Sequence, residues 1–474
     1  MKLKYIEKDG KMENESRYIK GIVIFFTLFT IVMNIKLGFI KDIIIAYFIL
    51  ILGLIVLILT PIKKMITTLI YTIYFYFLGI FQLLLSQIVP EKFVGYNMSI
   101  SVIKDSNLRM YYIKYLILFY LISIIIIWIN YATINIRKKY SFKRISIKKK
   151  YILINPYIIL IVVSLIEYVF RSRFNILVPG KAPLLPNSGI FVYSIQAISL
   201  YVKYLACEYF YNKYENNSKF IANVIMTCLI TGLPGIALGS RSTFIFDIVH
   251  FIIFIIFIFI KNKGKIKGIG KYKYLILIFG LLTINLGNKI RFETQVNYLD
   301  FFIQRFTGLS DAIASISYYI FNEQTIGFRN YLSNILGEGS INVTTYHTIY
   351  VMGFPDTGIH SNALPMFTAG LLYEGVYGLV IFSIIFSWIL SSQEIIIRKF
   401  LIGSMNSKKI MKIFIIIYFY TRIFFSCIME GRVEDIRGYI LMYIILLIVS
   451  SIFNINLVSR EKLVINKRNE VIHK

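Results

Sequence analysis

The chain has 474 residues, of which 57% are hydrophobic and only 16% carry a charge. Soluble globular domains average about 45–50% apolar and about 25% charged residues, so this composition excludes an ordinary soluble domain. The net charge is +28. Such a basic balance is typical either of nucleic-acid binding or of a membrane protein with basic cytoplasmic loops. The positions of the charges along the chain decide between these two classes.

Cysteine and histidine spacing argues against a metal enzyme. Cys207, Cys228 and Cys427 lie far apart in apolar stretches, unlike the ligands of a zinc site or a disulfide framework. The four histidines show neither HExxH nor HxxxH spacing. We therefore expect no metal ion or other cofactor. The polar N-terminal stretch of mixed charge is followed by no small-residue cleavage site, so we also expect no cleaved signal peptide.

Long apolar runs dominate the sequence, and a run of about 18 such residues crosses a bilayer as a helix. The sequence therefore predicts an all-α integral membrane protein with about 12 transmembrane helices. The sixth run contains Lys203 and Glu208 and the seventh contains Pro234, which makes these two the weakest. The runs are 19–35, 43–59, 65–89, 115–134, 152–170, 190–211, 220–238, 242–260, 274–288, 364–391, 413–429 and 439–458.

The distribution of basic residues predicts the orientation. With twelve spans both termini lie on one side. If Lys20, at the edge of the first run, is counted with the N-terminal segment, 34 of the 52 basic residues fall on that side against 16 on the other and 2 within spans. The positive-inside rule then places both termini in the cytoplasm. The basic runs at 137–150 and 261–273 contribute most to this bias. Most of the positive charge is explained by topology, so nucleic acid is not expected as a partner, whereas membrane lipids are.

One connection is far longer than the others, and it divides the chain into three regions. Residues 1–288 hold nine spans, 289–363 form a large extracytoplasmic loop, and 364–474 hold three spans and a cytoplasmic tail. In the loop, apolar side chains recur every three or four residues from Leu299 to Ile320, which predicts an amphipathic helix. This helix either lies on the membrane, caps the bundle, or is buried in a small outer subdomain.

Several arginines are predicted at the outer face. Arg241 stands in a glycine-rich turn before the eighth span, where a helix N-terminus and a guanidinium together suit a phosphate. Arg291 and Arg305 begin the outer loop. Arginine binds phosphate through a planar fork and keeps its charge, so these side chains suit a diphosphate. The alternatives are a lipid-headgroup anchor for Arg241 and solvated surface charges for the other two.

The entry into the tenth span carries the most informative polar residues. His360 lies in a turn-rich stretch, and Glu374 falls about ten residues, or roughly 15 Å, inside the span. A carboxylate in a membrane needs a partner or a wet cavity, and Arg422 in the eleventh span is the natural candidate partner. Glu374 and Arg422 are therefore either functional or a structural pair. His360 suits a proton acceptor near neutral pH, or is a loop residue without a role.

The last outer turn carries five charges within eight residues: Glu430, Arg432, Glu434, Asp435 and Arg437. This density exceeds what a turn between two spans requires. It suits a base together with a further phosphate ligand, and the alternative is a self-neutralising, salt-bridged turn.

Asp247 and His250 are spaced three residues apart on the eighth span, so they share one helix face. They line a polar interior or form a packed hydrogen-bonded pair.

These features together resemble the Wzy-type oligosaccharide repeat unit polymerases of bacterial O-antigen and capsule synthesis, which are related to the O-antigen ligases. The resemblance rests on the turn Gly239, Ser240 and Arg241 opening a span, the large outer loop, the segment NALPMFTAGLLYEGVYG, and the charged last turn. It covers most of the chain as architecture. It implies a GT-C-like fold in the bacterial cytoplasmic membrane.

The resemblance also implies a reaction. A glycan on undecaprenyl diphosphate is transferred to another lipid-linked repeat unit without a metal ion, beside a flippase and a chain-length regulator. Carried onto this sequence, it implies two sets of site residues: the bases Glu374, His360 and Glu434, and the substrate-binding Arg241, Arg291, Arg305, Arg422 and Arg432. The alternatives are a lipid-linked oligosaccharide flippase, an O-antigen ligase and a secondary transporter. The long outer loop, and the lack of a visible repeat between the two halves, argue against the flippase.

Overall fold

The fold is described from a computed structural model. It covers residues 66–76, 82–83, 86, 100–136, 150–152, 155–174, 188–214, 218–238, 241–261, 309–336, 341–353, 364–401, 407–429, 431–453 and 455–457. The predicted first, second and ninth spans lie outside these ranges, as do parts of the third span and the first part of the outer loop.

The described residues are almost entirely helical. The α-helices are α1 (Ile66–Tyr76), α2 (Ile100–Lys104), α3 (Ser106–Ile136), α4 (Pro156–Phe174), α5 (Ser188–Tyr214), α6 (Ser218–Ala237), α7 (Arg241–Lys261), α8 (Leu309–Asn322), α9 (Phe328–Leu336), α10 (Val343–Tyr346), α11 (Met366–Leu401), α12 (Ser407–Arg422) and α13 (Ile436–Phe453). Two π-helices, His347–Val351 and Ile423–Met429, continue α10 and α12, and a 3₁₀ turn, Val433–Asp435, precedes α13.

Three of these helical segments are long and apolar enough to cross a membrane: Ser106–Thr133, Met366–Lys399 and Lys412–Met429. They correspond to the predicted fourth, tenth and eleventh spans. The predicted fifth to eighth and twelfth spans are also helical, as α4, α5, α6, α7 and α13. The structure thus confirms, for the described residues, a helical chain in which some helices are long and apolar enough to span a membrane.

Polar caps fix where several helices begin. The Asp105 carboxylate accepts hydrogen bonds from the backbone N–H groups of Asn107 and Leu108, at 2.7 and 3.2 Å, and so separates α2 from α3. The Asn155 side chain accepts one from the Tyr157 N–H at the start of α4. Each cap satisfies backbone donors that have no partner within the helix.

The helices pack in two groups that share α12. In the first group, α3 lies along α11, with α1 and α8 against the same pair. In the second, α4, α5, α6 and α7 pack on one another, and α13 lies along α5. Helix α12 contacts α11 in the first group and both α5 and α7 in the second.

A short parallel strand pair is the one described departure from a helical fold. Strand β1 (Lys150–Ile152) pairs with β2 (Ile455–Leu457), with Lys150 opposite Ile455. The pairing joins the chain before α4 to the chain after α13. No strand is predicted here from the sequence, because a segment of three residues is too short to show an alternating pattern.

Within the outer loop, helix α8 carries the second half of the predicted amphipathic stripe. Leu309, Ile313 and Ile316 are fully buried, and α8 packs against α3 and α11. The stripe therefore faces the other helices. Of the three placements predicted for this helix, its described part fits packing on the bundle rather than lying on lipid.

Candidate functional site

Helix α11 is broken at Glu374 and Gly375, in the first third of its length, and the candidate site is built around this break. Gly375 has φ +58°, a left-handed conformation that ends the first segment after Glu374. A Cβ built on Gly378 would lie 2.2 Å from the carbonyl oxygen of Gly370. Residues eight apart in a continuous helix are separated by about 12 Å along its axis. The two segments therefore fold against each other at these glycines, and Glu374 stands at the turn instead of deep inside a straight span.

The outer loop satisfies the backbone groups that this break releases. The N–H groups of Ile326 and Gly327 donate to the carbonyl oxygens of Leu372 and Tyr373, at 2.8 and 2.7 Å. The Phe328 N–H, at the start of α9, donates to Glu374 Oε2 at 2.6 Å. In a continuous helix those carbonyls would accept from residues beyond the break. The loop thus supplies the donors that the broken helix lacks. Its hydrogen bond to Oε2 also fixes one oxygen of the half-buried Glu374.

Glu434, from the last outer turn, reaches the same region. Its Oε1 accepts a hydrogen bond from the Val343 N–H at 2.7 Å and another from the Tyr373 hydroxyl. Burial is the main cause that raises the pKa of Glu434 above the usual glutamate value, and the two hydrogen bonds oppose it. Tyr373 immediately precedes Glu374, and its hydroxyl binds Glu434. The two predicted base candidates, Glu374 and Glu434, therefore lie in the same region of the fold.

Aromatic rings pack around Tyr373, whose hydroxyl binds Glu434. Tyr331 of α9 packs edge-on against Tyr373 at 5.3 Å between ring centroids, and Phe382 contacts both at 4.7 and 5.6 Å. Tyr373 and Phe382 are fully buried. Edge-to-face aromatic pairs have a preferred geometry, so this cluster fixes the position of the Tyr373 hydroxyl that binds Glu434.

Substitution of Gly375 is expected to test the break directly. In Gly375→Ala, the side chain at φ +58° would also lie 2.5 Å from the Tyr319 hydroxyl, so we expect a loss of about 2 kcal/mol or more. The matched control is Gly353→Ala, where φ is +70° and no atom lies within 4 Å of the added Cβ. Thermal unfolding of the purified variants should show a larger decrease for Gly375→Ala. Equal decreases would mean that the break is not packed against Tyr319.

The predicted pairing of Glu374 with Arg422 is wrong. The Arg422 Nε–H donates to the Tyr418 hydroxyl at 3.1 Å, and its guanidinium carbon lies 4.7 Å from the centre of the Phe246 ring. Glu374 instead binds the Phe328 backbone. The turn at Gly375 explains the difference, because it removes Glu374 from the face that a straight helix would present to α12.

A second polar cluster lies among α4, α5, α7 and α12. Lys203 Nζ binds Asp247 Oδ2 at 2.5 Å, and both side chains are almost completely buried. The Phe414 carbonyl lies 3.1 Å from His250 Nε2. Asp247 and His250 therefore have separate partners and do not form the hydrogen-bonded pair that is one of the two predictions from their spacing. The His250 ring packs against Phe251, Phe414 and Tyr418. The charged Lys203 side chain can be buried in α5 because the carboxylate of Asp247 neutralises it.

The same cluster contains an ion pair that the sequence analysis did not single out. Arg171 Nη1 lies 3.3 Å from Glu167 Oε1, four residues earlier on α4, and both are buried. Opposite charges four residues apart in an apolar helix are a recognisable signal of such a pair.

The structure describes only some of the remaining predicted site residues. Arg241 is the first residue of α7, as a turn ending there predicts, but its side chain lies outside the described atoms. His360, Arg291, Arg305 and Glu430 lie outside the described residues.

Arg432 is half-buried two residues before Glu434, and its backbone N–H donates to the Ser426 carbonyl at 2.9 Å. The Ser426 hydroxyl in turn donates to Asp435 Oδ2, so the turn is internally tied.

Within the ranges given above, no group of three His, Cys, Asp or Glu side chains is placed to hold a metal ion. The chemistry that the described residues offer is that of two carboxylates, each bonded to one backbone N–H group, with Arg432 two residues from one of them. No protein-family model, curated protein or solved structure matches the chain.

Proposed function

We propose that the protein polymerises oligosaccharide repeat units carried on undecaprenyl diphosphate, at the outer face of a bacterial cytoplasmic membrane. The product is an O-antigen or capsular polysaccharide. In this proposal the chain is a metal-independent glycosyltransferase with a GT-C-like fold, about 12 transmembrane helices and cytoplasmic termini. Its partners are the lipid-linked oligosaccharide, membrane lipids, a flippase and a chain-length regulator.

One observation carries the proposal. Three segments selected from the sequence for this resemblance meet at the break in α11: the outer loop through Phe328 and Val343, the NALPMFTAGLLYEGVYG segment through Glu374, and the last outer turn through Glu434. The segments are far apart in the chain, so their convergence is a property of the fold. A transfer site needs carboxylates that are brought together in this way, and the last outer turn that supplies Glu434 also carries Arg432.

The roles follow from the chemistry of the reaction. The acceptor hydroxyl must lose a proton, and a carboxylate whose pKa is raised by burial suits this step. Glu434 has this environment, and Glu374 is the second candidate. The C–O bond to the diphosphate breaks as the new glycosidic bond forms, and the leaving diphosphate needs fixed positive charge. Arg432 is the nearest predicted ligand in the chain, with Arg241, Arg291 and Arg305 as the others.

A flippase for the same lipid-linked oligosaccharide is the second candidate. The observation that favours it is the buried cluster of Lys203, Asp247, Glu167 and Arg171. Charged side chains inside a membrane protein are costly and often mark a transport path. The ligase alternative shares the transfer chemistry and differs only in the acceptor.

Deletion of the gene distinguishes these functions. A polymerase deletion is expected to remove the polysaccharide ladder on a gel while single repeat units still reach the cell surface. Complementation with the full chain should restore the ladder. Loss of all surface glycan, with lipid-linked units retained inside, would contradict the polymerase and favour the flippase. A ladder of normal length on the carrier lipid, with none attached to its final acceptor, would favour the ligase.

A further inference from the structure

Three tyrosines of the outer loop form a stack that ends at the protein surface. The rings of Tyr346 and Tyr350 lie 4.8 Å apart with 35° between their planes, and Tyr318 of α8 packs edge-on against Tyr346 at 6.0 Å. Tyr346 is only 8% exposed, whereas Tyr350 is 49% exposed. The surface ring is thus supported from behind by a second ring, which is supported by a third.

The stack is held rigidly. His347, which follows Tyr346 in the sequence, is fully buried, and burial lowers its pKa to about 4. The imidazole is therefore neutral near pH 7, and the Asp311 carbonyl lies 3.3 Å from its Nε2. This contact ties the π-helix that carries Tyr350 to α8. A fixed aromatic ring loses little conformational freedom when a ligand binds to it.

Polar groups border the stack. The Tyr318 hydroxyl donates to Gln324 Oε1 at 3.0 Å, and Gln324 is exposed, so its amide remains accessible to a ligand. An aromatic face bears partial negative charge and attracts the C–H groups of a sugar ring, while amides and hydroxyls bind the sugar hydroxyls. A purely lipid-anchoring aromatic residue needs neither the supporting stack nor the amide.

The stack is also close to the candidate site. Val343, whose N–H binds the Glu434 carboxylate, begins α10, which ends at Tyr346 and is continued by the π-helix that carries Tyr350. Tyr346 and Tyr350 follow it by three and seven residues, which is roughly 5 and 10 Å along a helix. A glycan that reacts beside Glu434 would therefore need to be only a few sugar rings long to reach Tyr350.

We propose that Tyr318, Tyr346, Tyr350 and Gln324 form a sugar-binding subsite that receives one pyranose ring of the glycan by stacking on Tyr350. The inference rests on the proposed function, since it assigns a binding surface to the same reaction. The subsite holds the glycan at a fixed distance from the carboxylates and thereby promotes repeated addition.

The test is the polysaccharide ladder in cells whose gene is deleted and replaced by variants, at matched protein levels. We expect Tyr350→Ala to lower the amount of long polymer about tenfold, which corresponds to about 1.4 kcal/mol. Tyr350→Phe and Tyr350→Trp should keep most of it, because they keep the stacking face. Gln324→Ala is expected to produce a smaller decrease than Tyr350→Ala.

The matched control is Tyr168→Ala, since Tyr168 is 40% exposed on α4, outside both the stack and the break in α11. It should leave the ladder unchanged. A normal ladder in Tyr350→Ala, with the ladder lost in Glu434→Gln, would overturn the subsite and leave the polymerase intact. A normal ladder in the deletion strain would overturn the polymerase itself, and the subsite with it. Equal loss in Tyr350→Ala and Tyr350→Phe would also contradict stacking.

Discussion

Glu434→Gln is expected to lower polymer formation by about 100-fold or more, the contribution that general acid–base catalysis usually makes. The glutamine keeps an Oε1 that accepts the hydrogen bonds from Val343 and Tyr373. It cannot take a proton from the acceptor hydroxyl. The variant should therefore fold like the original protein and lose activity, which is measured as polymer made per amount of protein in membranes.

The pH dependence distinguishes a base from a purely structural carboxylate. Because burial raises the pKa of Glu434, its ionised form is lost on acidification nearer to neutral pH than that of an exposed glutamate. Activity should fall as the pH drops through this raised pKa, and the residual activity of Glu434→Gln should lack that decrease.

Stability should respond to pH in the opposite direction. A carboxyl group whose pKa is raised by folding favours the protonated state, so its contribution is present at low pH and is lost as pH rises through the folded-state pKa. Glu434→Gln, which is neutral at every pH, should be at least as stable as the original protein near neutrality. A marked loss of stability there would contradict this account of Glu434.

Lys203→Met is expected to have the largest effect on stability. It leaves the Asp247 carboxylate buried without its 2.5 Å partner, and breaking one side of a buried pair costs about 3–5 kcal/mol. Thermal unfolding of the purified protein in detergent measures the loss. The control on the same helix is Lys213→Met, whose side chain is exposed and whose removal should cost less than about 1 kcal/mol.

The double variant Lys203→Met, Asp247→Asn tests the reason for that loss. Removal of both charges eliminates the unpaired carboxylate, so much of the stability should return. No recovery would show that Lys203 stabilises the bundle through some other contact. If the double variant regains stability and still makes polymer, the cluster is structural, and the observation that favours a flippase no longer supports it.

The positions of the described helices within the apolar runs were predictable, because apolar length decides where a helix can cross a bilayer. The short helices α2, α9 and α10 were not predicted, because they lie outside those runs. The predicted eighth span begins within one residue of α7, and the predicted fifth to seventh spans fall on α4, α5 and α6. The break in α11 was not predictable by this criterion. The sequence on both sides of Glu374 is apolar enough to continue a span, and the hydrogen bonds at the break come from the distant residues 326–328.

The candidate site was predictable as a set of residue types and not as a set of contacts. Glu374 and Glu434 are conspicuous as carboxylates beside apolar spans. Their partners are the backbone N–H groups of Phe328 and Val343, and every residue except proline carries such a group. Tyr373 is one of 36 tyrosines, so its role depends on packing against Tyr331 and Phe382. Sequence patterns contain no information about these long-range pairings.

The most direct test of polymerase function uses the purified full chain in liposomes with undecaprenyl-diphosphate-linked repeat units on the outer leaflet. We expect glycans of two, three and more repeat units on the lipid carrier. We also expect release of one undecaprenyl diphosphate for each bond formed, and loss of both products in Glu434→Gln. Movement of the lipid-linked unit between leaflets without any bond formation would contradict it.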